Sequence, residues 1–304
     1  MRGTAVLRIL LLLLALTALP AQAGLNVFAC EPEWGALVRE LGGERVTVYE
    51  ATTGLMDPHR IEARPSLIAR ARKADLLVCT GAELEVGWLP MVIRQAANVH
   101  IQPGQPGYFE AARYVSLLEV PSRIDRAEGD VHAAGNPHLH LDPRNILRVA
   151  EALAARMGEL DAAGRSLYES RLADFRQRWL QAIAAWERQA LPLKGMGVVV
   201  HHKTFTYLLG WLGMQEVATL EPKPGIEPSA AHLARVLDGL RQQPARLILR
   251  ATYHDERASA WLASRAQIPA VALPATVGGS TEARDLVSLF DDIVRRLLSG
   301  ASQG

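Results

Sequence analysis

The 304-residue chain has little cysteine and almost no excess of charge of either sign. Two cysteines are too few for a small disulfide scaffold. Lys and Arg number 33 against 32 Asp and Glu, which leaves a formal net charge of +1, so we expect no nucleic-acid partner. The chain also lacks short repeats and low-complexity segments. Hydrophobic residues make up 49%, enough to build about two domains of roughly 150 residues.

The first 23 residues predict a secretory signal peptide. Arg2 and Arg8 precede an apolar stretch at 9–19, and an Ala-Gln-Ala sequence at 21–23 comes before Gly24. The stretch is shorter than the roughly 20 residues that a spanning helix needs, and no later apolar run reaches that length. We therefore expect an exported, soluble mature chain that begins at Gly24. A buried N-terminal helix is the alternative interpretation.

Both cysteines end short apolar runs that are typical of strands. If the two strands lie in one parallel sheet, Cys30 and Cys79 share an edge and are close enough to form a disulfide. Buried free thiols are the equal alternative. A lipid anchor on Cys30 is not expected, because Phe28 is bulky where such signals have a small residue.

Short apolar runs alternate with helical patterns along the mature chain. In the first half, strands are predicted at 26–30, 45–49, 76–79 and 99–102, with helices at 34–41, 66–73 and 142–160. In the second half, strands are predicted at 197–200, 246–249 and 269–273, with helices at 205–212, 229–242, 256–265 and 283–298. This alternation predicts an α/β fold of two lobes, each with a mostly parallel sheet flanked by helices.

One long helix is predicted between the two halves. Large apolar side chains recur every three to five residues from Leu167 to Trp186, and Pro192 ends the pattern. At 1.5 Å per residue, a helix of about 25 residues is about 38 Å long, enough to join two lobes rigidly. The predicted organisation is a signal peptide at 1–23, an N-terminal lobe at 24–164, an interlobe helix at 165–190 and a C-terminal lobe at 191–304.

The histidines are the candidate functional residues. His59 lies in a turn after a predicted strand, His138 directly precedes a helix, and His201 and His202 follow the strand at 197–200. These positions fall at sheet edges, where α/β proteins bind ligands. Three convergent imidazoles suit zinc at about 2.0–2.1 Å. No local metal motif such as H-E-x-x-H occurs, so hydrogen-bonded loop histidines are the alternative.

Around these histidines the sequence resembles a known family. The motifs are Asp57-Pro-His59 with Glu62 and Pro65, Gly135-Asn-Pro-His138, His202-Lys-Thr-Phe205, and the loop 222–229. They are similar to motifs of the zinc and manganese solute-binding proteins of ABC transporters, which are two-lobed periplasmic receptors with a rigid connecting helix. The resemblance spans nearly all of 24–298. It implies that His59, His138 and His202 are the metal ligands and that His140 occupies a usually aromatic position.

Two positions depart from the family pattern. Leu273 and Arg250 stand where the family usually has a late carboxylate and often a glutamate. Three imidazoles without a carboxylate favour zinc over manganese, which prefers oxygen ligands. The fourth ligand is then open, and we favour His132, which lies six residues before His138. The candidates for this position are His132, water, Glu62 and Asp57.

The resemblance implies a periplasmic receptor that captures zinc and delivers it to an inner-membrane ABC permease. We expect a monomer without catalytic activity that closes only slightly on binding, because the helix limits the hinge. A receptor for manganese or a chelated metal is the main alternative. A zinc hydrolase with Glu62 as base is the other, since three histidines and an open fourth position also describe catalytic zinc.

Overall fold

The first lobe is built on a four-stranded parallel sheet. The computed structural model describes residues 24–122 and 132–303, so the predicted signal peptide lies outside the described residues. The strands are β1 (Leu25–Ala29), β2 (Val46–Glu50), β3 (Leu76–Cys79) and β4 (Tyr108–Glu110), in the order β2-β1-β3-β4. Because all of their pairings are parallel, the carboxyl ends of the strands meet at one edge.

The second lobe repeats this arrangement. Its strands are β5 (Gly197–Val200), β6 (Gln215–Thr219), β7 (Leu247–Ala251) and β8 (Ala270–Leu273), in the order β6-β5-β7-β8. The central strand β5 is a continuous apolar run because both faces of a parallel sheet are covered. The two lobes therefore share one topology, as the α/β prediction expected.

Helices cover both sheets. They are α1 (Pro32–Gly42), α2 (Pro65–Ala71), α3 (Leu89–Ala96), α4 (Pro143–Leu160), α5 (Arg165–Gln189), α6 (Thr206–Leu212), α7 (Ala230–Gly239), α8 (Arg257–Ala266) and α9 (Leu286–Ala301). Asp142 caps α4 by accepting a hydrogen bond from the Arg144 N–H, and Pro143 occupies the first turn. None of the helices within 24–122 and 132–303 combines the length and apolar character that a membrane span requires.

The 25-residue helix α5 runs through a core that both lobes share. Its buried face includes Phe175, Trp179 and Trp186, and the same hydrophobic cluster contains Val27 of β1 and Val198 of β5. The outer faces of the sheets are covered separately, by α2 and α3 in the first lobe and by α7 and α8 in the second. Since fully burying each large apolar side chain contributes about 1.5–3 kcal/mol, the shared core opposes wide separation of the lobes.

A disulfide joins the carboxyl ends of β1 and β3. The register pairs Ala29 with Val78, and the next residues along, Cys30 and Cys79, are bonded with their Cα atoms 4.8 Å apart. The structure therefore supports the disulfide over buried free thiols.

The structure corrects three details of the predicted elements. Residues 99–102 do not form a strand, because the Asn98 side chain accepts a hydrogen bond from the His100 N–H and caps a 3-10 turn. The fourth strand is Tyr108–Glu110. The edge strand Gln215–Thr219 was not predicted, since it is half-exposed and carries little apolar pattern. On α5, Leu167 is exposed and Tyr168 occupies the buried position instead.

Candidate metal centre

Three predicted histidines meet between the two lobes. His59 lies in the loop after β2, His138 precedes the short turn Leu139–Leu141, and His202 lies two residues after β5. One ring nitrogen from each falls within 4.8 Å of the others. The ring centroids of His59 lie 5.3 Å from His138 and 5.6 Å from His202, and those of His138 and His202 are 5.5 Å apart. The folded chain thus brings together residues that are 79 and 64 positions apart in the sequence.

Each of the three rings is held by a side-chain oxygen at Nδ1. The pairs are His59 with Asp57 Oδ1 at 2.7 Å, His138 with Asn136 Oδ1 at 3.1 Å, and His202 with Glu221 Oε2 at 2.8 Å. Because carboxylate and amide oxygens only accept hydrogen bonds, Nδ1 carries the proton and Nε2 keeps its lone pair. Metal-binding histidines are oriented in this way.

Two of the three free ring nitrogens are buried without partners among the described residues. Nε2 of His59 and Nε2 of His138 have no hydrogen-bond partner among the described residues. Burying such an atom is unfavourable unless a ligand or water satisfies it. The orphaned nitrogens therefore fit a cation at the centre of the three rings.

The charges around the rings also suit a cation. Burial and the neighbouring imidazoles of His59 and His202 hold the pKa of His138 well below its usual range, so the ring is neutral at pH 7. Burial raises the pKa of Asp57, but the hydrogen bond and charge of His59 outweigh it and bring that pKa to about 2. The neutral imidazole of His138 can therefore bind a cation, and the Asp57 carboxylate is ionised.

The candidate fourth ligands differ in their placement. The ring of His132 lies against His59 with centroids 5.3 Å apart, and its buried Nε2 has no partner within the described ranges. Burial, and to a lesser extent the nearby charges of His59 and His202, lower the pKa of His132 to about 4. The ring nitrogens of His132 do not lie within 4.8 Å of all three nitrogens of His59, His138 and His202. Glu62 is exposed and does not line the two cavities at the histidines, whereas Asp57 is bonded to His59.

The positions that lack the expected acids have other partners. Leu273 is fully buried at the end of β8. Arg250 donates hydrogen bonds to the carbonyl oxygens of Ala251 and His254 and to Glu256. Neither position therefore contributes a carboxylate to the three histidines.

The two lobes also contact each other directly through residues other than the three histidines. His140 Nε2 lies 2.8 Å from the carbonyl oxygen of Ala275, and the Thr276 hydroxyl donates to Glu33 Oε2. Gly54 lies against the backbone of 278–279, where a Cβ at Gly54 would come within 2.2 Å of the Gly279 nitrogen. The loop at 276–279 thus lies at the lobe boundary. The family resemblance placed His140 at a usually aromatic position, and its ring nitrogen connects the two lobes instead.

Hydrogen bonds of Asn136 also connect the loop of His138 to the second lobe. The Asn136 side chain donates from Nδ2 to the carbonyl oxygen of Lys203 at 2.8 Å, and the Tyr207 hydroxyl donates to the Asn136 carbonyl oxygen at 2.8 Å. Asn136 therefore orients His138 with one end of its amide and binds the opposite lobe with the other.

Comparisons with known proteins identify the family of this chain. The family model described as ZnuA, the periplasmic component A of the zinc-uptake complex, matches residues 27–300. The manganese ABC transporter substrate-binding lipoprotein PsaA of Streptococcus pneumoniae is 22% identical over 239 residues, which are 77% of this chain and 74% of that protein. The zinc-binding lipoprotein AdcA of S. pneumoniae serotype 4 is 24% identical over 231 residues, 74% of this chain but only 44% of that protein.

Solved structures show the same fold. A crystal structure of ZnuA has a TM-score of 0.76 at 21% identity and covers 91% of this chain and 99% of its own. The manganese-bound periplasmic metal-binding protein from Candidatus Liberibacter asiaticus has a TM-score of 0.73 at 14% identity and covers 90% of this chain and 98% of its own.

Proposed function

We propose that this chain, which belongs to the ZnuA family of periplasmic zinc-uptake components, captures one zinc ion between its lobes and passes it to a membrane-embedded ABC permease. The observation that carries the proposal is the convergence of three imidazoles from both lobes. His59 and His138 belong to the first lobe and His202 to the second, and their Nδ1 atoms are all held by side-chain oxygens. Binding would therefore bridge the lobes.

The donor set favours zinc. The relatives are named for both manganese and zinc, so family membership alone leaves the metal open. Manganese prefers carboxylate and water oxygens, whereas zinc takes imidazole readily. The three-histidine group contains no carboxylate, and its fourth position is open to His132 or to water.

We also propose a location and a domain organisation for this receptor. Relatives named as substrate-binding proteins of ABC transporters support a receptor that works outside the cytoplasmic membrane, which the signal peptide predicted at 1–23 would allow. We assign the lobes to 24–164 and 191–304 and the interlobe helix to 165–190. The receptor acts as a monomer, and the shared core around α5 limits closure to small movements.

We assign no catalytic role to this site. A hydrolase needs a base beside the metal-bound water. Glu62, the base considered from the sequence, is exposed and lies outside both cavities that the histidines line.

The test is a competitive zinc titration of the mature chain from Gly24. His59→Ala, His138→Ala and His202→Ala should each lose the tight ion, and His132→Ala reports whether that ring is the fourth ligand. His100→Ala is the matched control, since His100 is exposed on the first lobe away from the cleft. A parent that binds no zinc, or three variants that bind as the parent does, would contradict the proposal. The same titration with manganese separates the two metals.

A further inference from the structure

A second group of metal-binding side chains lies entirely within the second lobe. One ring nitrogen of His201, one of His254 and a carboxylate oxygen of Glu221 fall within 4.8 Å of one another. The three residues follow β5, β7 and β6, so the carboxyl edge of one sheet positions all of them. Unlike the three-histidine site, this group needs no contribution from the first lobe.

His201 supplies an independent sign that a ligand is missing here. The residue is only 5% exposed, and its Nδ1 has no hydrogen-bond partner among the described residues. The side chain lines a cavity of about 210 Å³, which is large enough for an ion and several waters. Three further acids, Asp57, Glu227 and Asp255, line the same cavity and favour a cation there.

Glu221 connects the two groups. It accepts hydrogen bonds from His202 Nδ1 at 2.8 Å and from the Gly225 N–H at 3.0 Å, and both bonds end on Oε2. A carboxylate can use one oxygen to orient a histidine and the other to bind a metal. Glu221 can therefore orient His202 while Oε1 faces a second ion.

We propose that His201, Glu221 and His254 form a second, weaker site for zinc or another divalent cation that prefers imidazole ligands. Two imidazoles and one carboxylate, with water completing the coordination, are a set that zinc accepts. The rings of His201 and His254 are stacked at 4.3 Å and 11°, so one ring must turn for both to bind one ion. That torsion is broad for histidine, but turning His254 gives up the hydrogen bond that its Nδ1 accepts from the Ala251 N–H at 3.3 Å, which weakens binding at this site.

The surroundings explain why this site is the weaker one. Arg60 lines the cavity, and Arg250 donates to the His254 carbonyl oxygen at 3.1 Å, so two positive charges oppose the ion. The rings of His202 and His254 are only 6.1 Å apart, so ions bound at both groups would lie close enough to repel each other. The two sites should therefore fill in sequence, with the cleft site first.

The test is a zinc titration of the mature full-length chain with zinc counted by mass spectrometry. The parent should show a tight event and a weaker one, and His254→Ala should lose only the weaker event. His59→Ala combined with His138→Ala should lose the tight event and keep the weaker one. His254→Gln, a second variant with a polar side chain, and His100→Ala, the control, are titrated beside them after a check of folding by circular dichroism.

The outcomes separate this site from the cleft site. A parent with one event, or a weaker event that survives in His254→Ala and His254→Gln, would overturn the second site. A tight event that survives the His59 and His138 double variant would contradict the proposed function without affecting this inference.

Discussion

The two lobes have the same strand order but different chemistry at the same edge. In the first lobe the Cys30 N–H donates to the Val78 carbonyl oxygen, and the Cys30 side chain is bonded to Cys79. In the second lobe the His201 N–H makes the equivalent bond to the Leu249 carbonyl oxygen, but no covalent bond follows. One edge is closed by a disulfide, whereas the other presents an imidazole.

The next residue along each strand continues the contrast. Glu31 follows Cys30 and is buried beside Glu85. Burial raises the pKa of both carboxyl groups, and the charge of Glu85 raises the pKa of Glu31 further. His202 follows His201 and points to the metal centre. The fold therefore determines where functional groups lie, and the side chains determine that the first edge holds a disulfide and the second presents the histidine of the proposed metal centre.

The first lobe supplies its two proposed ligands from loops. His59 lies nine residues beyond β2, and His138 is separated from β4 by a long connection. Their side-chain partners Asp57 and Asn136 compensate for the longer reach by fixing the rings. The second lobe places His202 directly at the strand end.

The largest expected effect comes from removing the disulfide at the edge of the first sheet. In Cys30→Ser combined with Cys79→Ser, the lost cross-link spans 49 positions, which corresponds to about 4 kcal/mol of unfolding free energy. Urea unfolding of the metal-free chain measures it, with the reduced parent as the control. Equal stability of the oxidised parent and the variant would show that the first edge does not depend on the disulfide.

The second largest effect is expected from removing a proposed ligand at the edge of the second sheet. His202→Ala should weaken zinc binding roughly a hundredfold, since 10–16 kcal/mol shared by four ligands is about 3 kcal/mol each. A competition titration with a zinc-binding dye measures the change. His232→Ala, a histidine of the same lobe that bonds the Thr219 carbonyl oxygen, should bind zinc as the parent does.

The partners of the ligand histidines should have smaller effects in both lobes. Asp57→Asn in the first lobe and Glu221→Gln in the second keep their shape but lose the charge that supports the rings. Zinc affinity should fall about 10–100-fold in each, as for other residues that orient ligands. Unchanged affinity in either variant would show that this ring is positioned by packing alone.

A pH-dependent effect is expected from the buried acids of the first lobe. Burial raises the pKa of Glu85 from the ordinary 4.5 to about 7, so the folded chain holds this proton after the unfolded chain has released it. Stability should therefore fall as pH rises from about 4.5 to 7 and then level off. Glu85→Gln should be more stable than the parent at pH 8 and lose this advantage at pH 5, in urea unfolding.

The control for this pH dependence is Glu44→Gln, at an exposed position of the same lobe. It should follow the parent at both pH values. If Glu85→Gln gains no stability at pH 8, the buried carboxyl does not oppose folding.

Much of the fold follows from the sequence because buried parallel strands are continuous apolar runs. Leu76–Cys79 and Gly197–Val200 were predicted for this reason, whereas the half-exposed edge strand Gln215–Thr219 lacks such a run. The three histidines were predicted from strand ends and the family resemblance. Glu221 was not, because it lies 19 positions from His202 and only the pairing of β5 with β6 brings them together.

The position of bound zinc tests the proposed function most directly. A crystal structure of the mature chain with one equivalent of zinc, with anomalous data at the zinc edge, locates the ion. We expect one strong peak at about 2.0–2.1 Å from Nε2 of His59, His138 and His202. A principal peak at any other position, including the group of His201 and His254, would contradict it.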